Sequence, residues 1–474
     1  MNPIRFGTSG WRDVIADTFT FANVRLVTRA IAEYLLAEEA DHPQVVVGYD
    51  TRFLSEAFAA EAAAVLAAHG IRVWLTDRDT PTPVIAYEVI RRGAAGGLNI
   101  TASHNPPEYN GLKFSGPSGG SVPIAVTDRI EKRVQELLAQ PEAQYPSLAE
   151  LEAKGLVARI DPRPAYLNRL RELVDLNVIA AARLKVAVDM LYGTARGYLD
   201  EILREAGCDV QILHGSMNPA FGGLAPDPSE VNLRELATVV RTGGLHLGLA
   251  TDGDADRYGI IDKDGRFIEP NYILALLLRH LTTTRGWRMG VARSVATSHL
   301  VDAVARLHAI PVYETKVGFK YFGELITQGK VALCGEESAG LSIWGHVPEK
   351  DGILAALLVA EMVAIAGRPG VQSLLDTLYA EVGGAIYARR MNLHLTREQQ
   401  ERVALRLKDL PTRVAGLAVV EVGTLDGTKL LLEDGSWFLV RPSGTEPVVR
   451  LYLDAHSEAQ IEELTTAARA FLDV

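Results

Sequence analysis

The chain has 474 residues, 48% of them hydrophobic and 23% charged, a balance that suits a folded enzyme and excludes a disordered chain. A formal net charge of −11 argues against general nucleic-acid affinity, which needs a basic face. It leaves phosphorylated small molecules open, because a few Arg and Lys in one cleft suffice to bind them. The length exceeds what one hydrophobic core organises and predicts three or four domains. No apolar run approaches the roughly 20 residues that span a bilayer, so no membrane partner is expected. Residues 1–11 lack the hydrophobic stretch of a signal peptide, which predicts a cytoplasmic location. Cys208 and Cys334 read as small buried residues in a reducing compartment.

One pattern recurs along the first three quarters of the chain: an apolar strand, a turn containing Ser or Thr, an amphipathic helix and a second strand. The first copy predicts strands over 45–50 and 71–75 around a helix over 55–69. The second predicts strands over 185–189 and 209–213 around a helix over 194–206. The third predicts strands over 289–295 and 311–314 around a helix over 298–308. Gly70 and Gly207 follow the first two helices, where a left-handed cap residue belongs; Ala309 fills that place in the third and makes a weaker cap. Strand–helix–strand units of these lengths imply parallel pairing in α/β layers. The C-terminal part differs, with short strands predicted over 417–424, 429–432 and 437–441 and a hairpin signal at Asp434-Gly435. A terminal helix over 457–471 opens with a Ser457…Gln460 capping box. The fold class expected is α/β: three similar α/β domains with mixed sheets, over 1–155, 156–255 and 256–380, and a smaller α+β domain over 381–474.

Four loops carry chemistry. Thr101-Ala102-Ser103-His104-Asn105-Pro106 sets a hydroxyl beside an imidazole in a proline-fixed turn, a nucleophile or phosphoryl carrier if it is more than a local turn. Asp252-Gly253-Asp254-Ala255-Asp256-Arg257 places three carboxylates at spacing two, on one face of extended backbone. Three like charges held together repel unless a divalent cation joins them, and Mg²⁺ suits a site that also receives phosphate. A solvated acidic turn is the plainer reading, and an EF-hand fails because Arg257 and Lys263 occupy the Gly and Glu positions. In Gly335-Glu336-Glu337-Ser338-Ala339-Gly340, a carboxylate and a hydroxyl two residues apart can share hydrogen bonds with sugar hydroxyls, although on the segment alone a helix start or turn with ordinary acidic residues is the stronger reading. Arg441-Pro442-Ser443-Gly444-Thr445-Glu446-Pro447, with Arg450 on the next strand, offers hydroxyls, amides and planar guanidinium donors to a phosphate, against the alternative of a Pro/Gly surface loop. Gly7-Thr8-Ser9-Gly10-Trp11-Arg12, Lys113 and Lys350 are weak signals in isolation.

Together, in this order and one per predicted domain, these loops resemble those of the α-D-phosphohexomutase family, of phosphoglucomutase and phosphomannomutase type, over nearly the whole chain. The resemblance implies four domains around a central cleft. It implies that Ser103 is the phosphoserine, and that its phosphate together with Asp252, Asp254 and Asp256 holds Mg²⁺. Arg12, His104, Lys113 and Arg257 match positions that stabilise transferring charge or move protons. Glu336 and Ser338 match sugar-hydroxyl readers, Gly318 lies in the sugar-adjacent loop, and Lys350 matches a lysine of glucose-specific members. Arg441, Ser443, Gly444, Thr445 and Arg450 match the clamp on the non-reacting phosphate. Hexose phosphates are the partners implied, with glucose 1,6-bisphosphate as intermediate and activator. The activity so implied interconverts glucose 1-phosphate and glucose 6-phosphate, with phosphomannomutase or dual specificity as the alternative. Lys316 departs from the glucose-specific pattern, and Thr101, where phosphoglucosamine mutases usually carry Ser, ranks that activity lower. A Mg²⁺-dependent sugar phosphatase with an aspartate nucleophile and a non-catalytic sugar-phosphate sensor are the readings from other classes. The first would release free phosphate, and the second would bind without turnover.

Overall fold

Alternating apolar strands and Ala- and Leu-rich helices build four sheets in a computed structural model that describes residues 4–7, 10–38, 42–141, 143–442 and 448–474. The first sheet contains β1 (Trp11–Val14), β2 (Gln44–Tyr49), β3 (Arg72–Thr76), β4 (Gly96–Ile100), β5 (Tyr109–Ser115) and β6 (Val157–Ile160), in the order β1-β5-β4-β2-β3-β6. The second contains β7 (Lys185–Asp189), β8 (Asp209–Leu213), β9 (Leu247–Thr251), β10 (Tyr258–Asp262) and β11 (Phe267–Ile268), in the order β11-β10-β9-β7-β8. The third contains β12 (Gly290–Ser294), β13 (Val312–Thr315), β14 (Val331–Gly335) and β15 (Leu341–Ile343), in the order β13-β12-β14-β15. The last contains β16 (Tyr387–His394), β17 (Arg413–Val414), β18 (Leu417–Gly423), β19 (Thr428–Leu432), β20 (Trp437–Pro442) and β21 (Val448–Ala455), in the order β16-β21-β20-β19-β18-β17 and antiparallel throughout.

The first three sheets share one four-strand grammar. In each, the two strands of a strand–helix–strand copy pair in parallel, a third strand joins the first of them in parallel, and a fourth folds back antiparallel on the third. The quartets are β5-β4-β2-β3, β10-β9-β7-β8 and β15-β14-β12-β13. The parallel strands β2, β7 and β12 are buried almost end to end, as strands covered on both faces must be. The hairpin from third to fourth strand leaves the carboxyl end of a parallel strand, where α/β sheets place ligands. Sheet membership puts β6 with the first unit, and β10 and β11, which lie beyond residue 255, with the second.

Helix Gly352–Ile365 is apolar on every side and buried along nearly its whole length, in a core that the second and third units share. Its one charge, Glu361, is met by the Asp175 amide at 2.8 Å, His280 Nε2 at 2.8 Å and Arg285 Nη2 at 3.0 Å. The first and last units have cores of their own. Cys208 and Cys334 are free and buried, and among the described residues no helix is long and apolar enough to cross a membrane.

Three expectations need correction. The helix predicted over 194–206 is only Leu199–Glu205, because Gly197 turns the chain at φ 76° and its amide bonds Asp200 Oδ1, which fixes the start late. The capping box at Ser457 is half formed: Ser457 Oγ accepts from the Gln460 amide, but the Gln460 side chain turns to the His456 amide and Asp434. In the last unit β16 and helix Arg397–Arg406 were not predicted, and β16 forms one edge of the sheet by pairing with β21.

Ala309 takes the cap position of helix Leu300–Leu307 at φ 53°, as Gly70 and Gly207 do at 83° and 73° after theirs. An L-residue is strained there, and Ala309 is exposed, so glycine loses no packing. Ala309→Gly is expected to stabilise the chain by about 0.5–1 kcal/mol, read as a higher urea midpoint at unchanged slope.

The last unit docks on the third through Trp437, Leu439 and Tyr452, which pack on Val295 and Ala296. Asp454, buried beside them, accepts from the Ser298 hydroxyl at 3.0 Å, the His299 amide at 2.6 Å and Trp437 Nε1 at 3.1 Å. Burial nonetheless dominates and pushes its carboxyl up to about 7. Between pH 4 and 7 the unfolded chain releases this proton while the folded chain keeps it, so stability falls as pH rises through that window. The advantage of wild type over Asp454→Asn should therefore shrink by about 3 kcal/mol between pH 5 and pH 8, measured by urea unfolding at both.

Candidate active site

The three hairpins of the repeated units carry the three chemical loops. Ser103 lies between β4 and β5, the aspartate run between β9 and β10, and Glu336 to Gly340 between β14 and β15. Each holds one non-glycine residue in the left-handed region: Ser103 at φ 53°, Ala255 at 58° and Ala339 at 68°. Such strain persists only where surrounding contacts over-determine the loop.

For the serine loop those contacts come from Arg52, which the sequence reading missed. Its guanidinium is buried and donates to the carbonyls of Ser103 and Asn105 from Nη2, both at 2.6 Å, and to those of Pro106 at 2.7 Å and Tyr109 at 3.0 Å from Nη1. Its Nε meets Asp50 at 3.1 Å, and Asp50 also accepts from the Thr101 hydroxyl at 2.6 Å and the Ser55 hydroxyl at 2.7 Å. The only sequence signal was an Asp-x-Arg pair at the carboxyl end of β2.

Ser103 is buried, and its hydroxyl donates to Asp252 Oδ2 at 2.7 Å, with His104 Nδ1 at 3.3 Å on the other side. Carboxylate oxygens of Asp252, Asp254 and Asp256 lie within 4.8 Å of one another. Lys113, on β5, reaches Asp254 Oδ2 at 2.6 Å and Asp256 Oδ2 at 2.7 Å, and Thr82 donates to Asp254 as well. Asp254 Oδ1 and Asp256 Oδ1 are buried without a hydrogen-bond partner. Two orphaned anionic oxygens beside a third carboxylate form an all-oxygen donor set that fits a hard divalent cation such as Mg²⁺. Burial, and after it Asp256 and Asp254, raises Asp252 well above the ordinary carboxylate range. Burial also acts against the Asp256 anion, but Lys113, Lys350 and Arg257 outweigh it and hold Asp256 low. His104 is pushed well down by burial and by the cations of Arg257, Arg12 and Lys113, which keeps its imidazole neutral.

The other predicted residues join this centre in sequence. Arg12, on β1, donates to Asn105 Oδ1 at 2.8 Å, beside the serine. Lys350 bridges Asp256 at 3.2 Å and Glu349 at 3.0 Å and packs over Gly340, where an added Cβ would lie 2.4 Å from its Cδ. Arg257 pairs through its backbone with Gly340, which brings the aspartate loop to the third unit's hairpin. Glu336 accepts from the Gly318 amide at 2.6 Å and the Ser338 hydroxyl at 3.3 Å. Burial, and after it the charge of Glu337, lifts Glu336 to about 7. Glu337 itself turns inward to the Ser294 hydroxyl at 2.8 Å. Arg441, on β20, stands directly across from Arg450 on β21 and forms an ion pair with Asp426 at 3.0 Å. Ser443, Gly444 and Thr445 lie outside the described residues, as do Thr8 and Ser9.

The fold and the loops have counterparts among known proteins. The phosphoglucomutase/phosphomannomutase family descriptions match as alpha/beta/alpha domain I over residues 3–140, domain II over 164–265, domain III over 269–382 and the C-terminal domain over 401–470. A phosphoglucomutase/phosphomannomutase of Thermococcus kodakarensis is 32% identical over 464 residues, covering 97% of this chain and 96% of that one. A probable phosphoglucosamine mutase of Methanothermobacter thermautotrophicus is 32% identical over 477 residues, covering 99% and 98%. The crystal structure of a putative phosphomannomutase from Thermus thermophilus superposes with a TM-score of 0.86 at 34% identity, covering 100% of this chain and 99% of that one. The chain belongs to the phosphoglucomutase/phosphomannomutase family. Its activity is that of a phosphohexomutase, an isomerase-class intramolecular phosphotransferase.

Proposed function

We propose that the chain is a phosphoglucomutase that interconverts glucose 1-phosphate and glucose 6-phosphate through a phosphoserine at Ser103 and a glucose 1,6-bisphosphate intermediate. The observation that carries this is the Ser103 hydroxyl on Asp252, 2.7 Å away and beside the other two aspartates. In the forward half-reaction the Ser103 O–P bond breaks and an O–P bond forms to the free sugar hydroxyl, whose proton leaves to a base in the site. The bisphosphate then turns end for end. Its other phosphoryl group returns to Ser103, and a proton returns to the released hydroxyl. Asp252, Asp254 and Asp256 would hold Mg²⁺ together with the serine phosphate, and the ion would supply charge neutralisation at the transferring phosphoryl. Arg12, Lys113 and Arg257 surround that centre as further positive charge, and His104 stands with its Nδ1 3.3 Å from the serine oxygen, placed to hydrogen-bond the transferring group. Glu336 and Ser338, with the Gly318 backbone, read the sugar hydroxyls, and Lys350 spans the metal and sugar loops. Arg441 and Arg450, with Ser443, Gly444 and Thr445, hold the phosphate that does not react.

Phosphomannomutase or dual specificity is the second reading, favoured by Lys316 in the sugar-adjacent loop and by the dual name of the Thermococcus relative. A coupled assay on glucose, mannose and glucosamine 1-phosphates with Mg²⁺ and the matching bisphosphate separates these. Glucose 1-phosphate should turn over fastest, and equal rates with mannose 1-phosphate would replace the narrow claim by the dual one. Release of free phosphate that survives Ser103→Ala would point to a phosphatase and overturn both.

A further inference from the structure

An Asp-Gly pair, Asp426-Gly427, forms the turn between β18 and β19. Gly427 sits at φ 95°, and a Cβ there would lie 2.5 Å from the Val440 carbonyl and 3.2 Å from the Arg441 Cα. Only a residue without a side chain lets this turn lie flat on β20 at Arg441. The close approach delivers the Asp426 carboxylate to two places at once. Its Oδ2 accepts from the backbone amide of Val317 at 3.0 Å and forms the ion pair with Arg441 Nε at 3.0 Å. Val317 belongs to the third unit and Arg441 to the last, so one oxygen joins the two.

The next amide along, that of Gly318, is held by Glu336. Two consecutive N–H groups of the loop 315–320 are thus fixed by two carboxylates, one from the phosphate side and one from the sugar side. An unbroken line of polar contacts runs from Arg441 through Asp426, Val317, Gly318 and Glu336 to Ser338. Gly318 takes φ 129°, a conformation open to glycine, so the loop's shape depends on these anchors and not on a local turn preference.

We propose that Asp426 is a positioning residue: it couples engagement of the substrate's non-reacting phosphate at Arg441 to the placement of the sugar-reading loop 315–320. The inference rests on the assignment above of Arg441 to the phosphate and Glu336 to the sugar. A ligand with phosphate and sugar in one molecule gains from the coupling. Inorganic phosphate alone does not. Removing Asp426 also frees Arg441 from a competing carboxylate, so phosphate by itself should lose nothing.

The test compares binding of inorganic phosphate and of glucose 1-phosphate by calorimetry, with steady-state kinetics alongside, in wild type, Asp426→Ala and Asp426→Asn. For Asp426→Ala the expected result is about a tenfold loss of affinity and rise in KM for the sugar phosphate, the size of one charge-assisted hydrogen bond. Inorganic phosphate should bind within about twofold of wild type. Asp426→Asn keeps an oxygen for the Val317 amide and should recover most of the sugar-phosphate loss. Equal weakening of both ligands would show that Asp426 only docks the last unit, and no change in either would show that the contact is idle; both results overturn the proposal. If wild type binds glucose 1-phosphate no better than inorganic phosphate, the reading of the two loops fails instead, which is a separate result.

Discussion

Ser103→Ala is expected to reduce isomerisation by at least about ten-thousand-fold, and Ser103→Gly to be just as inactive yet more stable than wild type. The serine hydroxyl meets the aspartate group at the centre of the site, donating to Asp252 at 2.7 Å. If Ser103 is the carrier proposed above, no phosphoryl group can be held on the chain without it, while sugar-phosphate binding should survive. The glycine variant isolates the cost of placing that oxygen. Ser103 lies in the left-handed region at φ 53°, where an L-residue is disfavoured by about 1–2 kcal/mol. Glycine removes that cost, so a higher melting temperature with no turnover is the expected pair of readings. Thermal melts and the coupled assay on the same preparations check both. A Ser103→Gly chain less stable than Ser103→Ala would mean that the loop is not strained.

The second large effect is expected at Arg52. Arg52→Met leaves Asp50 as an uncompensated buried anion and strips four loop carbonyls of their donor, so a loss of about 3–5 kcal/mol in unfolding free energy is expected. Arg52→Lys separates charge from geometry. An ammonium satisfies Asp50 but cannot reach the carbonyls of Ser103, Asn105, Pro106 and Tyr109 together, as the planar five-donor guanidinium does. The lysine chain should therefore fold while its kcat falls by about a hundredfold, because a nucleophile displaced by a fraction of an ångström loses its alignment. Chemical denaturation and kcat on the three chains provide the readings. Full activity in Arg52→Lys would reduce Arg52 to a structural ion pair.

Much of this architecture was legible because two signals agree along the chain. Continuous apolar runs such as 45–47 mark buried parallel strands, and Gly70 and Gly207 mark helix ends, so local and long-range requirements select the same elements. The site loops stood out because their residues violate strand chemistry: three aspartates have no business near a sheet unless a function holds them. Arg52 stayed hidden because its partners are backbone carbonyls, which carry no sequence identity. Asp426 stayed hidden because Asp-Gly reads as an ordinary turn, and its second partner, Val317, is again a backbone group 109 residues away. The shortened helix Leu199–Glu205 shows the converse, a periodic pattern overruled by one glycine at φ 76°. The edge strand β16 failed the alternation test because Arg389, Arg390, Asn392 and His394 interrupt its apolar residues.

The repetition of one hairpin position in three sheets has an evolutionary corollary. On the roles proposed above, carrier, cation holder and sugar reader hang from separate copies of the same scaffold and meet at their tips, where Lys113 reaches Asp254 and Lys350 reaches Asp256. If those roles hold, substitutions in the loop that Glu336 anchors, away from the Gly340 pairing with Arg257, would change which hexose is accepted and leave the phosphoryl chemistry assigned to the first two copies in place. A lineage with this plan can acquire new substrates by altering a few positions, and relatives that differ in preferred sugar are what such a division of labour produces.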